Sequence, residues 1–468
     1  MAEGARLRLQ GRSMGLKLLL VCALALAMSV PATFVFLLLG DRTERAQSVS
    51  EEIGGLVGGR QLFAGPVLAV PYQAPATDPK AAPVSGAFVV FPVRGEATVA
   101  TRTEVRRRSL FKVPVYRADL AFRADFDLAG VEALAPRGAV LDWSRAEFLV
   151  GATNPRGARS DVAMSAGGRT LAVAPSAALG ALGAMGTPDR KSGALGEGIR
   201  FFGAPAAGLM APNAKVEVAA RMAFTGAERL AVLPYGKRSA LTVTGDWPDP
   251  SFDGGFLPVD REVGPQGFTA RWDIPFIARG VAAAGGAESL AQLGEAAVGV
   301  SFVEPANPYQ SVSRALKYAP MFLGLVFLAF FVFETIQRRR VHAAQYVLIG
   351  LAQLVFYLLL LSLAERVGFD TAFGLAAGAT VSLISAYAGW TFEDRRQGLV
   401  ALAAFSVLYG LIYVLMRLED LALLIGALTS FGAIATVMYV TRRLDWYGDA
   451  ADPPPAPASA PASAKDAA

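Results

Sequence analysis

One histidine, His342, and one cysteine, Cys22, are all that this 468-residue chain offers to chemistry that needs an imidazole or a thiol. Cys22 sits inside the apolar run Leu18–Gly40, so no intrachain disulfide can form. His342 follows the basic string Arg338-Arg339-Arg340 between two apolar runs. A Ser-His-Asp triad, a Cys-His pair or a histidine-bearing metal site is therefore excluded from the long polar segment in the first two thirds of the chain. Arg190-Lys191-Ser192 lacks the glycines a phosphate loop needs, because Met185 and Arg190 stand where they belong. Asp246, Asp249 and Asp253 lie close together without EF-hand spacing, and a plain Asx-rich turn is preferred to a calcium or magnesium site. A Ser–Lys or carboxylate dyad needs no histidine and stays open. The reading assigns no catalytic residue, no metal ligand and no cofactor, and takes the chain to be no enzyme.

The remaining candidates are polar residues in apolar surroundings. Glu334 is the only acid inside a run long enough to cross a membrane, and intramembrane acids often mark proton or ion routes. Arg338 follows at i+4 in the favourable orientation, so a modest interfacial ion pair is preferred to transport chemistry. His342, Gln345 and Tyr346 read as the polar lining of the connection between two membrane helices, where interfacial anchoring is preferred to gating or partner contact. Trp247, beside Asp246, is expected to bury its ring. Gly374, Gly378, Ser382 and Ala386 recur every four residues, a face that lets another helix approach closely. Packing within the bundle is the preferred use of that face, with a homo-oligomer through Gly374 and Gly378 as the alternative. Arg106-Arg107-Arg108 reads as a solvated hairpin end rather than a phosphate-binding patch.

The elements that must position these residues follow from hydropathy. Hydrophobic residues make up 53% of the chain and charged residues 18%. Six windows lack charge over a spanning length or nearly so: Leu18–Gly40, Tyr318–Phe333 (extended to Gln337), Ala343–Ala364, Thr371–Phe392, Gln397–Met416 and Leu421–Thr441. About 20 helical residues cross a bilayer core, so each window can cross once. The apolar run after Lys17 is too long for a signal h-region, so the first window reads as an uncleaved anchor. Lys and Arg concentrate on alternate sides, at Arg6, Arg8, Arg12, Lys17, Arg338–Arg340, Arg395-Arg396 and Arg442-Arg443. The opposite short loops carry only Arg366 and Arg417, which places both termini in the cytoplasm. The net charge of +5 is shared between membrane and polar regions, and neither is a polycation of the kind that tracks nucleic acid.

Between the first and second windows the period changes. Val49, Ile53, Leu56 and Val57 share one helical face, and after Gly65-Pro66 the alternation becomes twofold. Leu120, Phe122, Phe126 and Leu128 alternate with Asp119, Arg123, Asp125 and Asp127. Val216, Val218, Met222 and Phe224, then Leu241 and Val243, then Val298, Val300 and Phe302, repeat the pattern of half-buried strands. Gly151–Gly208 has weak periodicity. The expected fold is membrane α+β: an anchor helix and a five-helix bundle around a large, β-rich, sandwich-like periplasmic domain. The divisions are a basic cytoplasmic segment 1–17, an anchor 18–40, a periplasmic domain 41–317, a bundle 318–441 and a disordered cytoplasmic tail 442–468.

Several strings give the chain a resemblance to the CreD family of bacterial inner-membrane proteins. They are Glu44-Arg45-Ala46, Gly65-Pro66-Val67-Leu68-Ala69-Val70-Pro71, Asp246-Trp247-Pro248-Asp249-Pro250-Ser251-Phe252, Phe256-Leu257-Pro258, Arg261-Glu262-Val263 and Gly267-Phe268. The resemblance is densest at Phe330-Phe331-Val332-Phe333-Glu334-Thr335, His342, Gln345-Tyr346, Phe356-Tyr357-Leu358-Leu359-Leu360-Leu361 and Gly368-Phe369, and closes at Asp445-Trp446-Tyr447. Two departures stand out: Ala343 where the family has Pro after His, and Asp249 where it has His. The first is expected to relax the connection after the second helix, and the second removes a titratable group. The resemblance implies a role in envelope integrity, tolerance of certain colicins and induction during envelope or β-lactam stress, with no established reaction. The expected partners are the lipid bilayer and an envelope lipid, glycan or protein.

Overall fold

The computed structural model describes residues 14–75, 83–108, 111–179, 198–210, 213–302, 308–337, 341–417 and 422–442. The expected pairing of Glu334 with Arg338, and the tail beyond Arg442, fall on residues outside these. The chain divides into two compact units, one of Glu44–Pro305 and one of Met1–Thr43 with Ala306–Ala468.

Glu44–Pro305 is built on two sheets, of eight and ten strands among the described residues. In spatial order the first runs Asp260–Gly264, Gly267–Ile274, Arg238–Gly245, Arg94–Arg108, Phe111–Asp127, Lys215–Ala227, Ala163–Ala166 and Arg169–Leu171. The path of the second runs Pro250–Gly254, Val298–Phe302, Arg229–Val232, Gln61–Ala74, Glu147–Ala152, Arg200–Pro205 and Ala174–Ser176. Pairing is mostly antiparallel, but Arg94–Arg108 lies parallel to Arg238–Gly245, and Gln61–Ala74 lies parallel to Arg229–Val232.

The expected alternation is what joins the sheets. In Phe111–Asp127 the even residues Leu120, Phe122, Ala124 and Phe126 are buried, while Arg117, Asp119, Arg123 and Asp125 point to water. Ring pairs then cross the core: Phe63 meets Phe224 at 5.3 Å and Phe126 meets Phe148 at 5.5 Å. Gly65-Pro66 has a local reason. The ladder between Gln61–Ala74 and Glu147–Ala152 shifts register between Ala64 and Val67, which accommodates a proline without an N–H. A Cβ on Gly65 would lie 2.3 Å from the ring of Tyr235. That ring is fully buried, and its hydroxyl lies between the carbonyls of Glu96 (2.7 Å) and Arg123 (2.8 Å).

Two expectations are corrected in this unit. Ile53 and Val57 pack with Val113, Val115 and Ala227, and Val49 lies against them, but Leu56 is exposed and does not share the face. Trp247 is only half-buried and meets Phe302 edge-on at 6.5 Å; the tryptophan enclosed in the core is Trp272, whose indole donates to the Phe256 carbonyl at 3.0 Å.

Among the described residues, six helices are long and apolar enough to cross a membrane. The first, α1 (Met14–Leu56), continues beyond its apolar part without a break, and its residues up to Thr43 belong to the helical unit. Two short helices, α2 (Phe276–Arg279) and α3 (Glu288–Gln292), belong to the β-rich unit. The helical unit resumes with α4 (Pro308–Lys317), followed by α5 (Ala319–Gln337), α6 (Ala343–Val367), α7 (Phe369–Phe392), α8 (Arg395–Arg417) and α9 (Ala422–Thr441). The small-residue stripe on α7 does not pack inside the bundle as expected. Gly374, Gly378, Ser382 and Ala386 are all exposed, whereas Ala376, Ala377, Thr380, Val381 and Ile384 form the buried face.

Candidate functional site

Four of the candidate residues, Glu334, His342, Gln345 and Tyr346, come together where α5 ends and α6 begins. The start of α6 is set by a capping box. The Nδ1 of His342 accepts the amide of Ala344 at 3.2 Å, and the side chain of Gln345 accepts the amide of His342 at 3.1 Å. One turn into α6, Tyr346 is fully buried, its ring edge-on to Phe327 (5.8 Å) and Phe330 (5.5 Å).

Glu334 is buried at 2% exposure, so the expected exposed interfacial acid is corrected. Its Oε2 accepts the Tyr346 hydroxyl at 2.8 Å, and its Oε1 accepts the amide of Val341 at 2.8 Å. The ammonium of Lys17, from α1, pairs with the same Oε1 and donates to the Val341 carbonyl at 3.0 Å. Sequence reasoning counted Lys17 only as a topological charge; the signal that could have found it is that it is the last cation before an apolar run, level with an acid at the end of another. Val341 is gripped through both its N–H and its C=O, so this part of the connection is held. A carboxylate with donors on both oxygens is a structural clamp. To take up a proton or ligand it would first have to release one of them.

A second, half-buried acid escaped the sequence reading, because Glu365 lies just past the end of its apolar window. On α6 it accepts the hydroxyl of Tyr309 from α4 at 3.1 Å and lies 3.9 Å from the guanidinium of Arg42 on α1. Burial and the neighbouring carboxylate push the Tyr309 phenol well above its ordinary range.

In the β-rich unit, Trp247 and Asp246 stand at one end of the eight-stranded sheet beside an open groove of about 790 Å³ lined by Thr101, Arg102, Asp246, Glu262, Gln266 and Phe268, among others. Strand register builds it. Thr101 pairs with Gly245, Gly245 with Phe268, and Phe268 with Val263, so four adjacent strands lay one row across the groove. Asp246 accepts the amide of Thr103 at 2.8 Å, and Asp253 turns away to pair with Arg229 at 2.7 Å, so the three carboxylates of this loop do not converge. Among the described residues neither Arg102 nor Glu262 has an ion-pair partner, which leaves one fixed charge of each sign free in the groove. Arg108, read as solvated, pairs with Glu52 at 2.5 Å.

A polar residue that the sequence gave no reason to single out is Arg279, 3% exposed. Its guanidinium donates to the carbonyls of Gly236 (3.2 Å), Val281 (3.0 Å) and Ala282 (2.7 Å) and sits 4.5 Å over the ring of Phe91. Burial without a carboxylate pushes its pKa down to about 10.

A family model described as "Inner membrane protein CreD" matches residues 13–447. The chain is 30% identical over 434 residues to the inner membrane protein CreD of Escherichia coli strain K12, covering 90% of this chain and 91% of that one. With the match running from the anchor helix through the sheets to the last spanning helix, the chain belongs to the CreD family of inner membrane proteins.

Proposed function

We propose that this CreD-family chain supports the integrity of the cell envelope by binding, without catalysis, through a β-rich domain exported to the periplasm. The observation that carries this reading is the groove, which offers an uncommitted guanidinium, an uncommitted carboxylate and threonine hydroxyls in the one soluble-type unit of the chain. Its partner is an envelope lipid, glycan or protein, recognised by hydrogen bonds and charge rather than by apolar insertion. The helical unit anchors that domain. A transporter or channel role using Glu334 is the second reading, favoured by the burial of that acid. The three donors already placed on its carboxylate favour the structural role instead.

The test is complementation of a deletion strain, scored as sensitivity to detergent and to cell-wall drugs with membrane levels checked by immunoblot. An Arg102→Glu, Glu262→Lys double variant is expected to reach normal levels and to lose complementation. If it complements fully, while a Lys17→Met, Glu334→Leu variant present at normal level does not, function resides in the helical unit and the binding reading falls.

A further inference from the structure

The middle of the helical unit carries polar side chains that neither the clamp nor the groove uses. On α6, Gln353 and Tyr357 follow Tyr346 of the clamp at spacings of seven and four, along the same helical face. Gln353 and Tyr357 are both fully buried. From α8, Tyr409 donates its hydroxyl to Gln353 Oε1 at 2.6 Å, its ring held edge-on by Phe322 (4.9 Å) and Phe356 (5.0 Å). Thr380 of α7 is buried beside the same Tyr409 hydroxyl. The amide nitrogen of Gln353 and the hydroxyl of Tyr357, one turn apart and close to each other, are buried, and neither makes a hydrogen bond of good geometry among the described residues.

Orphaned donors at this depth select their occupant. Buried polar groups in folded proteins are almost always paired, and a buried water typically makes about three hydrogen bonds to groups left unsatisfied. The cluster supplies that set: two amide hydrogens on Gln353, a hydroxyl on Tyr357 that can donate or accept, and acceptor oxygens on Tyr409 and Thr380. Among the described residues no carboxylate or cation belongs to it, which disfavours an ion. An apolar guest would leave the donors unmet, and the rings of Phe322 and Phe356 crowd out a large one.

We propose that Gln353, Tyr357, Tyr409 and Thr380 form an internal water-binding site in the core of the membrane-spanning bundle. The site is discrete. Tyr346, which touches Glu334, lies seven residues before Gln353, and Glu365 lies eight after Tyr357, separations of about 10–12 Å along the helix. One bound water does not bridge either gap, so the site wets the bundle locally and hydrogen-bonds α6 to α7 and α8.

The experiment uses the full chain in lipid nanodiscs with glutamine side chains labelled with ¹⁵N, and asks by water-edited NMR whether water magnetisation reaches the Gln353 amide. The signal is assigned by its loss in Gln353→Leu. Rapid transfer is expected, and Tyr357→Phe is expected to lower the unfolding midpoint by about 2–4 °C, because it removes a satisfied hydroxyl. No transfer to the amide, or a Tyr357→Phe variant as stable as the parent or more so, overturns the proposal, since deleting a hydroxyl that bonds nothing costs nothing. Should that variant fail to fold, the NMR result on the unaltered chain decides.

Discussion

Glu334 has two buried neighbours whose own polar groups depend on it, and this sets what its loss should do. Replacing it with glutamine removes the charge facing Lys17 and leaves one oxygen for the three donors of Lys17, Val341 and Tyr346. Breaking a buried pair from one side costs about 3–5 kcal/mol, whereas an exposed i,i+4 pair contributes only ~0.2–0.5 kcal/mol. Lys17 keeps a fifth of its side chain exposed, so the lower end applies, about 3 kcal/mol. Thermal unfolding in nanodiscs should show that loss for Glu334→Gln and a partial recovery when Lys17→Met is added. Equal stability of Glu334→Gln and the parent would mean the clamp is not formed. The candidate residues were legible because acids, histidines and tyrosines are rare in apolar runs. Their partners were not, because Lys17 is distant in the chain and Val341 contributes only backbone. Arg279 gave no signal at all, since a lone arginine beside Gly280 looks like an ordinary surface residue until backbone carbonyls and the ring of Phe91 close around it.

Among the elements, α6 and α7 put the same residue type to opposite uses. A Cβ on Gly350 of α6 would lie 2.9 Å from the side chain of Met28 on α1 and 3.0 Å from Phe327 on α5. Nothing lies within 4 Å of the corresponding position on Gly374 or Gly378 of α7. Gly350→Leu should therefore disrupt the seating of α1 and α5 and lower the unfolding midpoint, while Gly378→Leu should leave the single chain unaffected. The same Gly378→Leu chain checks the homo-oligomer proposed through Gly374 and Gly378. Inter-chain energy transfer in nanodiscs should be lost if the exposed stripe joins two copies, and unchanged transfer would remove the stripe from consideration. A four-residue repeat shows a small face in the sequence but not what it faces, which is why this one was misplaced. Strand identity, by contrast, was legible from alternation in Phe111–Asp127 and Lys215–Ala227. Sheet order was not, because the parallel pairing of Arg94–Arg108 with Arg238–Gly245 joins segments far apart in sequence, and register depends on partners that alternation alone does not name.

At the scale of the whole molecule, polar contacts in the helical unit bring particular helix ends together, and arginine placement predicts which side is the cytoplasm. Lys17 near the start of α1 meets Glu334 near the end of α5 and Val341 just before α6. Arg42, Tyr309 and Glu365 gather a later point of α1, the start of α4 and the end of α6. Asp370 at the start of α7 pairs with Arg417 at the end of α8. These meetings are those of helices that alternate in direction. With one crossing for each of the six apolar helices, the expected topology puts one crossing between the N-terminus and the β-rich unit and brings the C-terminus back to the starting side. The segments holding Arg6, Arg8, Arg12, Arg338–Arg340, Arg395-Arg396 and Arg442-Arg443 are rich in arginine by sequence, and cations near helix ends are retained in the cytoplasm. Pairing Lys17 with Glu334 takes one charge from that count and pairing Arg417 with Asp370 takes one from the other, so the bias survives. Alkaline phosphatase fused after Gly86 or Phe369 should therefore be active, and fused after Arg340 inactive, with a cytoplasmic fluorescent reporter giving the reverse. Activity after Arg340 together with silence after Gly86 would invert the chain, and with it the proposal that the groove faces the envelope.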